Sequence, residues 1–300
     1  MRVSKEFSPA SCAPKCITGR RMKRNSVIQR IRKRTLEGYN VVTMKQKIGR
    51  ILRSVLGKFD YVLWRRNSFR YGIDPFIDIS RLSRAWGRDV RVFFDVGAND
   101  GGTLINALPV FDSAEFHAFE PHPSTFQRLK SRMSAPRASL HQLALSDQSG
   151  IVEFYEYGSE GQASLLNSLT PDARYAVRNG YESREITVES STIDLFCERN
   201  SIDRIDVLKI DVEGFELSVL KGASGMFSAG KIGFVYAEFN DLFPQDGTTG
   251  GSLFPIAEYL NQFGLQYIST YTDFVATEGR LHVGANVLFA AQTWRISAEL

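Results

Sequence analysis

From about residue 90 onward the chain alternates short apolar runs with stretches whose apolar residues recur at helical spacing, the rhythm of strand-helix-strand units that pair into a parallel sheet. Residues 90–96 read as a buried first strand and 102–110 as the helix after it. A second strand is expected over 114–120, a helix over 123–133 and a third strand over 139–145. Residues 151–157 and 185–188 read as strands inserted into this rhythm. A fourth main strand over 205–210 leads into a helix over 216–227, and a fifth covers 232–239. Residues 265–270 and 283–290 close the pattern as an antiparallel pair. Two glycine-containing stretches, 157–181 and 241–252, interrupt it in the manner of lids or acceptor pockets.

Upstream the pattern is different. Residues 1–40 mix Ser, Pro and Gly with many basic residues and few large apolar ones, too few to offset chain entropy, so a disordered basic arm is expected. From Met44 onward, Met44, Ile48, Leu52, Val55, Leu56, Phe59 and Leu63 recur at helical spacing, with Lys45, Lys47, Arg50, Arg53 and Lys58 between them. This is a basic amphipathic helix. The expected organisation is an arm over 1–40, a helical extension over 41–89, an α/β domain over 90–292 and a tail over 293–300.

Charge sharpens that division. The formal net charge of +4 hides a basic segment, residues 1–70, with 19 Lys and Arg against Glu6, Glu37 and Asp60, a net +16. The remaining 18 basic and 30 acidic residues leave residues 71–300 at −12. The overall charge therefore carries no nucleic-acid reading, and no base-reading module accompanies the basic helix. Two uses of that helix stay open: docking on the domain with its basic face in water, or peripheral contact with an anionic membrane or partner. No run of eighteen apolar residues and no apolar signal region is present, so a soluble, cytoplasmic chain is expected. Cys12, Cys16 and Cys197 form neither a CxxC pair nor a disulfide framework, which suits a reducing compartment.

The first strand runs into Asp95-Val96-Gly97-Ala98-Asn99-Asp100-Gly101, a turn where glycines at 97 and 101 let the backbone bend sharply and a ligand approach it closely. A dinucleotide fingerprint would place a glycine where Asn99 stands, and the Asp95 carboxylate would repel a pyrophosphate. S-adenosylmethionine brings a sulfonium and an ammonium and no phosphate, so Asp95 favours it. Glu120, 25 residues on and followed by the strand-stopping Pro121, is placed to accept hydrogen bonds from both ribose hydroxyls. After the third strand, Ala144-Leu145-Ser146-Asp147 offers an apolar surface for adenine. There Asp147 either accepts from the exocyclic amine or is a plain turn residue.

These motifs resemble the FkbM family of S-adenosylmethionine-dependent methyltransferases. The resemblance runs through 93–101, Ala118-Phe119-Glu120-Pro121, 143–150, Ser191-Thr192-Ile193-Asp194 and the block Leu208-Lys209-Ile210-Asp211-Val212-Glu213-Gly214-Phe215-Glu216. It covers roughly 90–290 and leaves out the arm. It implies a class I methyltransferase, Rossmann-like α/β fold: a seven-stranded, mostly parallel sheet whose last strand is antiparallel. It also implies methyl transfer to oxygen, commonly a hydroxyl of a sugar or glycosylated metabolite.

Asp211 and Glu213 follow the fourth strand and Glu238 ends the fifth, so a parallel sheet brings all three to the cofactor face. A hydroxyl acceptor must lose its proton. Either one carboxylate acts as general base, Asp211 first and Glu238 second, or Asp211, Glu213 and Glu238 hold a divalent metal such as magnesium. The plain alternative is that Asp211 and Glu213 cap the helix that follows. His282, opening the final strand, is a competing base, and Asn286 is placed to contact the acceptor. The Asn-Pro-Pro-Tyr type of motif that serves base methylation is absent after the fourth strand, so no specific nucleic acid is expected.

Overall fold

The computed structural model describes residues 71–157, 183–240, 251–276 and 282–295, with Ile48, Gly49, Ile51, Leu52, Val55 and Leu242 besides. The chain divides into two compact units, Met1–Phe69 and Arg70–Leu300. In the first unit the five described residues are helical, as their spacing predicts, and Ile48, Ile51, Leu52 and Val55 are exposed. The remainder of the basic arm and helix, and most of both glycine-containing insertions, lie outside the described residues. Among the described residues no helix is long and apolar enough to cross a membrane.

The second unit begins earlier than residue 90. Helix α1 (Pro75–Ala85) has Asp74 as its cap, whose Oδ1 accepts from the amides of Phe76 and Ile77, and Pro75 opens its first turn. It buries Phe76 and Ile79, and the Phe76 ring meets those of Phe93, Phe111 and Tyr236 edge-on. This helix belongs to the domain and not to the extension drawn over 41–89. Its apolar stripe is narrow and its remaining positions are polar, so by composition it looks like the segment before it.

The elements then follow as β1 (Val92–Val96), α2 (Gly102–Ala107), β2 (Glu115–Phe119), α3 (Pro123–Arg132), β3 (Ala138–His141) and β4 (Ala144–Leu145). Next come β5 (Gly150–Tyr157), β6 (Ser183–Ser191), α4 (Ile193–Asn200), β7 (Ile205–Ile210), α5 (Glu216–Lys221) and α6 (Ser224–Ser228). β8 (Ile232–Phe239), α7 (Leu253–Asn261), β9 (Leu265–Ala276) and β10 (His282–Ala291) complete the series. The main sheet has the order β3-β2-β1-β7-β8-β10-β9, with β10 antiparallel to both neighbours and the other pairings parallel. β4, β6 and β5 form a separate three-stranded sheet.

The predicted third strand is thus two strands in two sheets, and the predicted helix over 216–227 is two helices. The break falls at Gly222, where a side chain would stand 2.0 Å from the Ser146 carbonyl oxygen. Helices α4 and α7 are additional to the pattern read from the sequence. β7 is buried at all six positions, and the core fills both faces of the sheet: Phe93 and Phe116 on one, Phe94, Phe119 and Phe196 on the other. Successive crossovers run outward from β1 in one direction and from β7 in the other, which opens a crevice between the carboxyl ends of these two strands.

Candidate active site

The crevice is built by three loops that hold one another. After β1 the backbone is left-handed at Gly97 (φ 76°), Asn99 (φ 48°) and Gly101 (φ 93°). Asparagine enters that region more readily than most residues, so Asn99 fills a glycine's place. Gly97 has no substitute: a Cβ there would lie 1.8 Å from the Asp211 carbonyl oxygen. The amides of Gly97 and Ala98 donate to the Phe119 carbonyl at 3.0 and 2.9 Å, and the Asp211 amide donates to the Val96 carbonyl at 3.0 Å.

Glu120 follows β2 and is buried. Its Oε2 accepts from the Asn99 amide and its Oε1 from the His122 amide, each at 3.0 Å. A carboxylate has about four lone-pair sites, so main-chain donors orient this group and leave half its acceptor capacity. Burial pushes its carboxyl up to about 7, with the two amides opposing that rise. His122 caps α3 through Nδ1, and its Nε2 faces Glu156 at 3.2 Å.

Asp95 takes a different position. It is fully buried, stands opposite Lys209 in the β1–β7 register, and pairs with the Lys209 ammonium at 2.9 Å. Lys209 Nζ also donates to the Gly97 carbonyl at 2.9 Å and lies 3.6 Å from Asp211 Oδ2. Burial alone would lower the lysine; Asp95, Asp211 and Glu238 reverse this and hold it above the usual lysine range. The cation that Asp95 faces is therefore Lys209, a residue to which the sequence reading gave no role. The signal was present: a lysine inside a strand buried at every position demands a partner.

The third group is the acidic trio. Asp211 and Glu213 leave β7, Glu238 ends β8, and one carboxylate oxygen from each lies within 4.8 Å of the others. Glu213 is left-handed at φ 52° and Gly214 follows at φ 99°. The amides of Val212 and Gly214 donate to Glu216 Oε1 at 3.1 and 3.2 Å, and α5 has no side-chain cap. Glu216 thus clamps the turn, and the capping role open to Asp211 and Glu213 is not the one formed. Burial, then the neighbouring acids, push Glu213 up to about 8 and Glu238 well above the ordinary carboxylate range. Asn286 is buried beside Glu238 in the β8–β10 register.

A cavity of about 260 Å³ joins Glu120 to the trio. Of the residues expected at a site, Gly97, Asn99, Glu120, Pro121, Asp211, Glu213 and Glu238 line it. Ala98, Gly101, Ser146 and Asp147 are not in its wall; Ser146 instead bonds Ser190 and Gln148 between β4 and β6, and Asp147 is exposed. Where an adenine surface was expected, the cavity wall is formed by Leu143, Ala144 and Leu145, with Phe154 of the inserted sheet joining them. His282 opens β10, and its side chain lies outside the described residues. Apolar walls, an oriented carboxylate with spare lone pairs and an acidic far end fit a nucleoside that carries positive charge.

The strand order, with its antiparallel last strand and acidic crevice at the reversal, defines a class I methyltransferase fold. Residues 95–267 match the methyltransferase FkbM domain, and the chain belongs to that family. It is similar to the 2-O-methyltransferase NoeI of Sinorhizobium fredii, 28% identical over 156 residues, which cover 50% of this chain and 63% of that one. It is 28% identical over 174 residues to the hexuronic acid methyltransferase AglP of Haloferax volcanii, covering 57% of this chain and 65% of the other. With the 31-O-demethyl-FK506 methyltransferase FkbM of Streptomyces tacrolimicus it shares 30% identity over 184 residues, 53% of this chain and 68% of that one. The chain therefore spans under two thirds of the length of the first two relatives.

Proposed function

We propose that this chain transfers a methyl group from S-adenosylmethionine to a hydroxyl oxygen of a carbohydrate-bearing acceptor. The observation that carries the reading is one cavity with Glu120 at one end and the carboxylate oxygens of Asp211, Glu213 and Glu238 gathered at the other. The relatives named above act on oxygen by two of their names and on a hexuronic acid by a third, which supports the reaction and the acceptor class.

When bound, the cofactor supplies an electrophilic methyl on a sulfonium. The chain supplies the rest. Glu120, pinned by two amides, accepts from the ribose hydroxyls, while Leu143, Leu145 and Phe154 pack the base. Positioning of donor and acceptor provides much of the acceleration, because the leaving group is already good. Asp211, with its side chain 39% exposed, takes the acceptor's hydroxyl proton and releases it to water as the new C–O bond forms. Burial and crowding raise Glu213 to about 8 and raise Glu238 as well, which favours their protonated forms, and a protonated carboxyl there can donate a hydrogen bond to the acceptor.

The test is titration calorimetry with the cofactor, followed by transfer of its labelled methyl to a glycan and glycolipid extract. Saturable binding and alkali-stable label on sugar oxygen are expected; binding without label in any sugar refutes the assignment. The 4.8 Å separation of the trio also favours a second reading, in which it holds a divalent cation such as magnesium. Activity lost in chelator and restored by magnesium supports that reading; activity indifferent to chelator leaves the base alone.

A further inference from the structure

We infer that Glu156, acting through His122, is a positioning residue of the cofactor site: it holds the inserted sheet so that Phe154 closes the wall against the base. This rests on the methyl-transfer reading above. His122 serves both sides of the cavity. Its amide donates to Glu120 Oε1 at 3.0 Å, on the side given to the ribose. Its ring is buried and faces β5, where Phe154 and Glu156 share one face of the strand because side chains alternate. The His122 and Phe154 ring centroids are 6.2 Å apart, and Phe154, itself buried, lines the cavity.

The hydrogen bonds of the ring select one tautomer. Nδ1 accepts from the Thr125 amide at 3.3 Å, the bond that caps α3, with the Thr125 and Ser124 hydroxyls at 3.1 and 3.2 Å able to donate to the same atom. In the neutral ring the proton is then on Nε2, which donates to Glu156 Oε1 at 3.2 Å. Burial lowers the imidazole from its ordinary value against the opposing pull of Glu156, and Arg128 adds to the fall, which favours that neutral form. A ring bonded at both nitrogens cannot turn without losing a partner. Main-chain donors therefore fix His122, and His122 fixes Glu156 and the strand that carries it. Without Glu156 the buried Nε2–H loses its acceptor. Phe154 then keeps its apolar contacts with Ala144 and Val188, which lie within the small sheet and do not set its distance from Glu120.

The experiment is titration calorimetry of the full chain with S-adenosylmethionine and with S-adenosylhomocysteine, which share the nucleoside. Glu156→Ala is expected to weaken both about tenfold, the scale of one hydrogen bond. Glu156→Gln, whose amide oxygen still accepts from Nε2, is expected to stay within about twofold of the unsubstituted chain. In a Phe154→Ala background, Glu156→Ala is expected to add less than about twofold, because the side chain it positions is gone. Melting curves run alongside are expected to shift little, since Glu156 is only half-buried. Unchanged affinity in Glu156→Ala, a loss that Glu156→Gln does not restore, or a tenfold loss that persists in the Phe154→Ala background overturns the inference and leaves the methyl-transfer reading standing. An unsubstituted chain that binds neither ligand overturns the methyl-transfer reading, and this inference with it.

Discussion

The two ends of the cavity treat carboxylates in opposite ways. At the Glu120 end a single acid meets two main-chain amides at 3.0 Å, supplied by the loop after β1 and the start of α3. At the other end three acids from two strands stand within 4.8 Å, and Glu238 keeps an oxygen with no donor. The first end is prepared for an acceptor-only task and needs only ligand hydroxyls. The second is electrostatically incomplete until a proton, a cation or a donor arrives. The proposed function thus asks the same kind of side chain to hold a ligand in one environment and to react with it in another.

That contrast is sharpest in turnover against binding. Asp211→Asn should lower the rate of methyl transfer about 10³-fold, in the range of a lost general base, and leave cofactor affinity within about threefold. Comparable losses of rate and affinity would erase the distinction between the ends. Glu120→Ala should do the reverse, weakening cofactor binding about 100-fold, or ~2.7 kcal/mol, by calorimetry, the scale of two hydrogen bonds to a charged group.

Protonation offers a smaller effect with a definite sign. Burial raises Glu120 and Glu216 to about 7 and Glu213 to about 8, and raises Glu238 as well, so the folded domain binds more protons than the unfolded chain. Stability from these groups is complete below their unfolded values near 4.5 and is lost as pH rises through 7 to 8. The ligand-free protein should therefore melt at a lower temperature at pH 8.5 than at pH 6. Glu238→Gln should flatten that slope and stabilise the protein at pH 8.5 by about 1 kcal/mol, whereas a steeper slope would place the crowding elsewhere. The smallest change is Asn99→Gly, expected to alter stability by less than about 1 kcal/mol because glycine suits the same left-handed backbone. A denaturant midpoint shifted far beyond that would show that the Asn99 side chain has a role of its own.

Much of this was legible along the chain. Apolar runs marked β1, β2, β7 and β8, because strands buried on both faces need continuous hydrophobic residues. Gly97, Glu120, Asp211, Glu213 and Glu238 could be singled out because each sits where a strand ends, and parallel strands deliver their ends to one edge. Local pattern did not reveal the split of 139–145 between two sheets, the division of 216–227 at Gly222, or the membership of α1 in the core. Each depends on a contact between distant segments: β4 with β6, Gly222 with the Ser146 carbonyl, Phe76 with Phe93.

Asp95 marks the boundary between the two kinds of information. The residues alone determined that a carboxylate closes β1 next to a glycine turn and must answer to a positive charge, since an acid at the end of a buried strand cannot stand alone. Only the tertiary structure decided which charge that is. Pairing β1 with β7 in register sets Lys209 directly across from it at 2.9 Å, so the carboxylate is spent beneath the loop while Glu120 and the trio face the cavity. Sequence states what a group requires; the packing of strands far apart in the chain states what meets it.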